Sequence, residues 1–174
     1  GGICDLSDDI NSPGCVPLVL NEALFDPPSD DDQTTEVEGD ANNDGTRDAS
    51  EDEFIEFFNN SSEDLNISGY TIFDSNALSS DTPRHVVPAN TIILANSTYV
   101  VFGGGTPTGN FGTAIVQTAS SGDLNLTNSG DDIIVKNTLG LTVIDFDSDD
   151  LSLNFGDNQS ITRSPDITGD YVLH

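Results

Sequence analysis

The feature that most constrains the fold is a series of short apolar segments, each ended by Gly, Asn, Asp, Ser or Pro. They recur roughly every eight to twelve residues, and several alternate apolar with polar side chains. This pattern is typical of an antiparallel β-sandwich or barrel and not of an α/β fold. We therefore predict an all-β fold with strands at 16–25, 51–59, 65–67, 70–73, 85–87, 91–94, 99–102, 114–117, 124–126, 133–136, 141–146, 160–163 and 171–173.

Segment 51–59 fits two structures. Ser50 followed by Glu53 matches a helix capping box, and Phe54, Phe57 and Phe58 would share one helical face. The apolar run is short and rich in aromatic residues, however, and it ends in the turn-forming sequence at 59–62. We therefore interpret the segment as a strand.

The charge of the chain indicates what kind of partner it binds. Asp and Glu number 31 against 4 Lys and Arg, which gives a formal net charge of −27 over 174 residues. Such a chain is repelled by nucleic acid phosphates and by anionic membranes, so we expect neither as a partner. The small partners that fit this charge are cations. The length favours one folded domain.

The amino-terminal residues 1–15 are polar and contain both cysteines, Cys4 and Cys15. We interpret them as an arm that precedes the domain at 16–174, and we predict a Cys4–Cys15 disulfide, which would stabilise the arm by roughly 3 kcal/mol. The longest apolar runs are far shorter than the ~20 residues that span a bilayer, so no direct membrane insertion is expected. The arm itself contains no hydrophobic leader, and we expect any signal peptide to have been removed.

An acidic insertion at 29–52 contains the strongest chemical signal. Oxygen-bearing side chains stand at places one, three, five, nine and twelve of a twelve-residue loop, and Gly45 stands at place six. This is the spacing of an EF-hand calcium loop, although no amphipathic helix precedes it. We predict calcium as the ligand, with a solvated acidic loop as the alternative. The predicted metal ligands are Asp40, Asn42, Asp44, Thr46 through its carbonyl, Asp48 and Glu51.

Two further acidic features are weaker. Glu53 is close enough in sequence to replace Glu51 as a ligand if the loop is distorted. A second group of acids, at 145–150, could bind another ion but lacks the glycine and the terminal glutamate, so a solvated surface is the better interpretation.

The sequence offers little for catalysis. His85 and His174 are the only histidines, and they lack metal-ligand spacing. Glu22 and Glu56 could face each other across adjacent strands as a hydrolytic pair. We instead expect such carboxylates to pair with Arg84 or Arg163. The chain is therefore predicted not to be an enzyme.

Five segments in order resemble the lamin tail domain, and the resemblance covers roughly 16–174: Leu20-Asn21-Glu22, then 52–60, 65–72, 128–135 and 159–163. It implies an immunoglobulin-like β-sandwich and, as in bacterial relatives, an extracellular module. The acidic insertion lies between the first two strand motifs, where many bacterial members carry a calcium-loop-like insertion. Residues 39–45 also resemble a dockerin calcium loop, but no second copy follows.

Taken together, these patterns predict a secreted or cell-surface, calcium-stabilised, non-catalytic module for adhesion, ligand binding or tethering. Its partners would be calcium ions and an extracellular protein or glycan. A carbohydrate-binding module is one alternative, although only Tyr70, Tyr99 and Tyr171 could form an aromatic platform beside the phenylalanines. A metal-dependent hydrolase is the other.

Overall fold

The computed structural model describes residues 17–30, 37–156 and 158–174. The arm at 1–15 and the predicted Cys4–Cys15 disulfide lie outside the described residues. The elements are β1 (Leu18–Leu24), β2 (Phe54–Asn59), β3 (Leu65–Asn66), β4 (Thr71–Phe73), α1 (Ser75–Ser80), β5 (His85–Val86), β6 (Ile92–Ile93), β7 (Thr98–Phe102), β8 (Ile115–Thr118), β9 (Asp132–Lys136), β10 (Thr142–Asp147), a 3₁₀ helix (Ser148–Asp150), β11 (Ile161–Ser164) and β12 (Asp170–Leu173).

The strands form two main sheets and a small ribbon. One sheet has six strands in the order β12-β11-β1-β2-β7-β8, the second has four in the order β10-β9-β4-β5, and β3 pairs with β6. The chain is thus mostly β, as predicted. The strand pairs among the described residues are antiparallel, as predicted, except that β7 and β8 are parallel. The connection at 103–114 is long enough to carry the chain back for a parallel return.

A single large core fills the space between the main sheets. Successive side chains of β2 point to opposite faces of the sheet, which directs Ile55 and Phe57 into this core, and each is 1% exposed. Tyr99 and Ile161 from the same sheet belong to one core cluster with Ile133 from the other. Burying side chains of this size stabilises the fold by roughly 1.5–3 kcal/mol each.

The predicted strands are found within a few residues of their expected limits, with one exception. Segment 51–59 contains a strand, β2, as expected. The predicted strand at 124–126 is wrong: Leu124 and Leu126 are buried, but Asn125 between them has a φ of 53°, which extended backbone does not allow. The segment is therefore a loop, and it resembles a strand in the sequence because its first and third residues are buried leucines.

The helix α1 was not predicted. It begins after Asp74, whose carboxylate accepts the Ala77 N–H at 2.8 Å, and it ends at Asp81 in the left-handed region with a φ of 51°. Six residues are too few to show a helical period in the sequence. No helix in the described part of the chain is long and apolar enough to cross a membrane.

The acidic insertion connects β1 to β2, and its described residues, 29–30 and 37–52, contain no helix or strand. Arg47 fixes its middle to its beginning, because the guanidinium donates from Nε to the Pro28 carbonyl at 2.7 Å and from Nη2 to the Pro27 carbonyl at 2.5 Å. The insertion is therefore closed on itself above the end of the six-stranded sheet where β2 begins.

Candidate metal centre

The first half of the predicted calcium loop is shaped by bonds from its side chains to its own backbone. Asp40 accepts the Asp44 N–H at Oδ1 (3.1 Å) and the Gly45 N–H at Oδ2 (2.8 Å). Asn42 Oδ1 accepts the Asp44 N–H at 3.0 Å, and Asp44 Oδ1 accepts the Thr46 N–H at 3.0 Å. Gly45 has a φ of 94°, which allows the sharp turn at place six.

The second half closes in the same way around Asp48. Its Oδ1 accepts the N–H groups of Ser50 (2.9 Å) and Glu51 (3.1 Å). These two backbone hydrogen bonds lower the pKa of the Asp48 carboxyl. The acid at place nine is therefore held ionised, in the state that a cation requires.

Asp52 organises the loop, and the sequence interpretation missed it. Its side chain is buried, with the residue 0% exposed, and accepts the Asn42 N–H at Oδ1 (3.1 Å) and the Asp48 N–H at Oδ2 (2.7 Å). One carboxylate thus joins the two halves of the loop, although burial raises its pKa. The only sequence signal for this role was an acid immediately before a strand, which is common in this chain.

The connection at 103–109 forms a wall against the loop. Gly104 donates its N–H to the Glu51 carbonyl at 3.1 Å, and its own carbonyl accepts from Asn42 Nδ2 at 3.4 Å. Thr106 N–H donates to Asp44 Oδ2 at 3.0 Å. The wall therefore contacts the third, fifth and twelfth places of the loop.

Three of the predicted ligands converge at this wall. A Cβ atom added to Gly105 would lie 2.4 Å from Asn42 Nδ2, 2.5 Å from Asp44 Oδ2 and 3.3 Å from Glu51 Oε2. Gly105 also has a φ of 71°. The left-handed φ favours glycine here, and a Cβ would also displace the side-chain ends of Asn42 and Asp44.

The structure does not gather all six predicted ligands. Asp40 and Asp48 are turned towards backbone N–H groups, and within residues 17–30, 37–156 and 158–174 no three Asp, Glu, His or Cys side chains are grouped as metal ligands would be. Neighbouring carboxylates repel each other unless a cation lies between them, so bonds to backbone N–H groups are the available alternative.

Glu53 cannot replace Glu51, contrary to the sequence interpretation. Its side chain points into the sandwich, where Oε2 accepts the Leu126 N–H at 3.1 Å. Burial raises its pKa to about 8, and the charges of Asp123, Asp131 and Asp74 add to this effect. Asp52 accepts N–H groups of the loop and Glu53 accepts one from the core, so these adjacent side chains point to opposite sides.

We call Glu53, Asp74 and Asp131, together with Arg84, the buried acidic cluster. Asp74 accepts from Arg84 Nε at 2.9 Å and from Arg84 Nη2 at 3.1 Å. Asp131 accepts four hydrogen bonds, from the N–H groups of Ser75, Thr127 and Asp132 and from the Thr127 hydroxyl. These acids fasten α1 and the loop at 123–131 to the core.

The second acidic group, at 145–150, is arranged as a surface. Asp147 pairs across the sheet with Asp132 and accepts the Asp149 N–H at 2.8 Å. Burial and the charges of its neighbours raise the pKa of Asp132. No metal-like grouping of three acidic, histidine or cysteine side chains occurs here among the described residues.

Glu22 and Glu56 do face each other, as residue partners of β1 and β2. The expectation that they pair with Arg84 or Arg163 is wrong. Glu22 Oε1 accepts from the Ser160 hydroxyl at 2.5 Å, and Glu56 Oε1 accepts from Asn21 Nδ2 at 2.8 Å. Both arginines are engaged elsewhere: Arg84 with Asp74, and Arg163 with the carbonyls of Leu20 and Gly169 and with the Tyr171 hydroxyl.

The histidines and tyrosines are accounted for by packing. His85 is buried, its Nδ1 accepts the Ser120 N–H, and its Nε2 lies 2.9 Å from the Tyr99 hydroxyl, which itself donates to Gln117 Oε1 at 2.6 Å. His174 lies at the surface with Nδ1 3.8 Å from Glu22. Tyr99 is 1% exposed, so it contributes nothing to an exposed aromatic platform.

Comparison with known proteins agrees with this architecture. Residues 12–150 match the Lamin Tail Domain family, whereas no curated protein matches the chain. The matched range ends at the 3₁₀ helix, so β11 and β12 lie beyond it although β11 pairs with β1 in the six-stranded sheet. Since the match covers most of the chain, this protein belongs to the lamin tail domain family, whose members have an immunoglobulin-like β-fold.

Proposed function

We propose that the chain is a non-catalytic, extracellular or cell-surface module of bacterial type whose β1–β2 insertion is stabilised by one calcium ion. The observation that carries the proposal is the convergence of Asp44 Oδ2 and Glu51 Oε2 around Gly105, where Asn42 presents Nδ2 and would have to turn its amide to offer an oxygen. These residues occupy places three, five and twelve of a loop with calcium spacing. A wall of backbone from 103–109 completes the enclosure on one side.

The remaining ligands would come from the same loop. Asp40, the Thr46 carbonyl and Asp48 complete a set of oxygen donors, which calcium prefers. Asp48 uses only Oδ1 for its two backbone bonds, so Oδ2 is available. Each carboxylate oxygen has two lone pairs, and one that accepts an N–H can still contact a cation. Modest side-chain rotations would therefore assemble the site.

Calcium would act mainly on stability. The loop binds the ion when folded and not when unfolded, so free calcium at 100 times the dissociation constant would add about 2.7 kcal/mol. Neutralising part of a net charge of −27 also reduces self-repulsion. The site would thus hold the insertion closed, and the part of the chain that the structure describes has no helices beside the loop of the kind that a calcium sensor reorients.

The test is thermal unfolding with saturating calcium and with EDTA, supported by calorimetric calcium titration. Asp44→Ala removes a converging ligand, and Asp150→Ala removes an exposed aspartate from the 3₁₀ helix as the matched control. We expect calcium to raise the Tm of the native protein and of Asp150→Ala by several degrees, and to leave Asp44→Ala unchanged. Equal melting temperatures in calcium and EDTA for the native protein would disprove the calcium site.

The extracellular location rests on charge and chemistry. A chain with net charge −27 and an exposed EF-hand-like loop suits a compartment where calcium is abundant, because extracellular calcium modules bind at 10⁻⁴–10⁻³ M. Protease treatment of intact cells that produce the full-length protein checks this. Digestion of the module without cell lysis is expected, and complete protection inside intact cells would contradict the location.

The role would be adhesion, ligand binding or tethering, with an extracellular protein or glycan as partner. Burial of Tyr99 and the bonding of Tyr171 to Arg163 and Leu20 leave little for a sugar platform, so a protein partner is favoured over a glycan. A glycan array with calcium present distinguishes the two, since selective glycan binding would favour the carbohydrate-binding alternative.

A further inference from the structure

A groove of about 360 Å³ runs between β8 and the connection that precedes it. Three consecutive residues of β8, 116–118, line it. Since successive side chains of a strand point to opposite faces, a groove that touches all three lies along the backbone edge of the strand. The other lining residues are Gly105, Thr106, Pro107, Gly109 and Phe111.

The groove exposes unpaired backbone of β8. This strand is the last in its sheet, and its partner β7 lies on the other side. The Ala119 N–H donates to the Phe102 carbonyl of β7 at 2.8 Å. Because backbone groups alternate in direction along a strand, Val116 and Thr118 direct theirs away from β7. No described strand pairs with this edge.

The far wall of the groove is held by the calcium loop. Thr108 N–H donates to the Asn42 carbonyl at 3.0 Å, and Asn43 Nδ2 donates to the Thr108 carbonyl at 3.3 Å. Further along the wall, the Phe111 ring packs on Phe102 with 5.7 Å between centroids. The position of the wall therefore depends on the conformation of residues 42–44.

The net charge of the protein favours one class of ligand for this groove. Its four basic side chains are all engaged: Arg47 with proline carbonyls, Arg84 with Asp74, Arg163 with backbone carbonyls, and Lys136 over the Phe73 ring at 4.8 Å. A second copy of this chain, also at −27, would be repelled. A basic segment is attracted, and an extended backbone matches an open strand edge.

We propose that this groove binds an extended, basic peptide segment of a partner protein, which adds a strand beside β8, and that calcium in the loop tightens this binding by fixing the wall. The second part rests on the proposed function, since it requires the calcium site. The first part, binding of the peptide, requires only the open edge of β8 and the negative net charge of the protein.

The probe is a ten-residue peptide of alternating lysine and valine, titrated into the ¹⁵N-labelled protein with calcium and with EDTA. Two control peptides replace lysine by glutamate or valine by proline. We expect amide shifts centred on Val116 and Thr118, no binding of either control, and at least about fivefold tighter binding with calcium. Val116→Pro removes one outward N–H and should abolish the shifts while the rest of the spectrum is retained.

Other results overturn the proposal. Shifts confined to the acidic loops, or equal binding of the proline peptide, would show attraction by charge alone. Absence of binding at millimolar peptide would exclude the groove. Calcium binding is measured calorimetrically on the same sample. If calcium binds but the peptide affinity is the same in calcium and in EDTA, only the coupling is overturned. If calcium does not bind, the proposed function is overturned, and the peptide titration in EDTA still tests the groove.

Discussion

The predicted calcium loop, residues 40–51, and the buried acidic cluster are both built from acids, but the acids have different partners in the two regions. In the loop, Asp40 and Asp48 accept N–H groups two to five residues away along the chain. In the cluster, Glu53 accepts from Leu126, and Asp131 accepts from Ser75, 56 residues away. Asp40 and Asp48 thus shape a local segment, whereas Glu53 and Asp131 also fasten distant segments together.

The contrast teaches that the partner of an acid, more than its burial, decides its role. Asp52 and Glu53 are adjacent and both nearly inaccessible. Asp52 accepts two backbone N–H groups from the loop, and Glu53 accepts one from the core while near other acids. The two regions therefore meet at this dipeptide, and substitutions there separate their contributions.

The largest expected effect is in the buried acidic cluster. Asp74→Ala removes the partner of Arg84 and the side-chain acceptor at the start of α1. Loss of one partner of a buried ion pair should lower the free energy of unfolding by about 3–5 kcal/mol. Urea denaturation measures this, with Asp150→Ala as the control. A loss below about 1 kcal/mol would show that distant bonds matter no more than local ones.

Asp52→Ala tests the junction from the loop side. The substitution leaves the N–H groups of Asn42 and Asp48 without their acceptor, and we expect a loss of about 2–3 kcal/mol in EDTA. Hydrogen exchange should show faster opening of 40–52 than of the core. If the core opens equally fast, Asp52 belongs functionally with the buried cluster.

Glu53 makes the contribution of the buried acidic cluster to stability depend on pH. Its pKa is about 8 in the folded protein and near 4.5 when unfolded, so the folded state retains a proton that the unfolded state loses between these values. The stability that Glu53 contributes is full below pH 4.5 and should fall by about 1.4 kcal/mol per pH unit up to pH 8. Urea unfolding of Glu53→Gln should show a flatter dependence. Parallel curves for the two proteins would refute the assignment.

The smallest effect belongs to the exposed loop without calcium. Asp40→Ala removes acceptors for two backbone N–H groups that water can reach, so we expect a loss of about 0.5–1 kcal/mol in EDTA. With calcium present, the difference from the native protein should widen. If the loss of stability is the same with calcium and with EDTA, Asp40 has a structural role only and is not a calcium ligand.

The pattern of the loop can be recognised in the sequence because it lies within twelve consecutive residues, and its calcium role stays a prediction. Spacing of acids and the glycine at place six are visible in the sequence, whereas the distant acceptor role of Glu53 is not. The strand limits were predictable for a similar reason, since alternation is local. Asn125 breaks the alternation at 124–126 through its φ, and the parallel β7–β8 pair depends on where a long connection leads.

The position of β1 has a consequence for how the chain is made. β1 lies between β2 and β11, so Glu22 pairs with Glu56 on one side and with Thr162 on the other. During synthesis, β1 must therefore wait until β11, with Thr162, has been made before its second edge is covered. A nascent chain that has emerged only as far as the 3₁₀ helix presents β1 as an open edge, and this is the stage at which a chaperone or a neighbouring chain would compete for it.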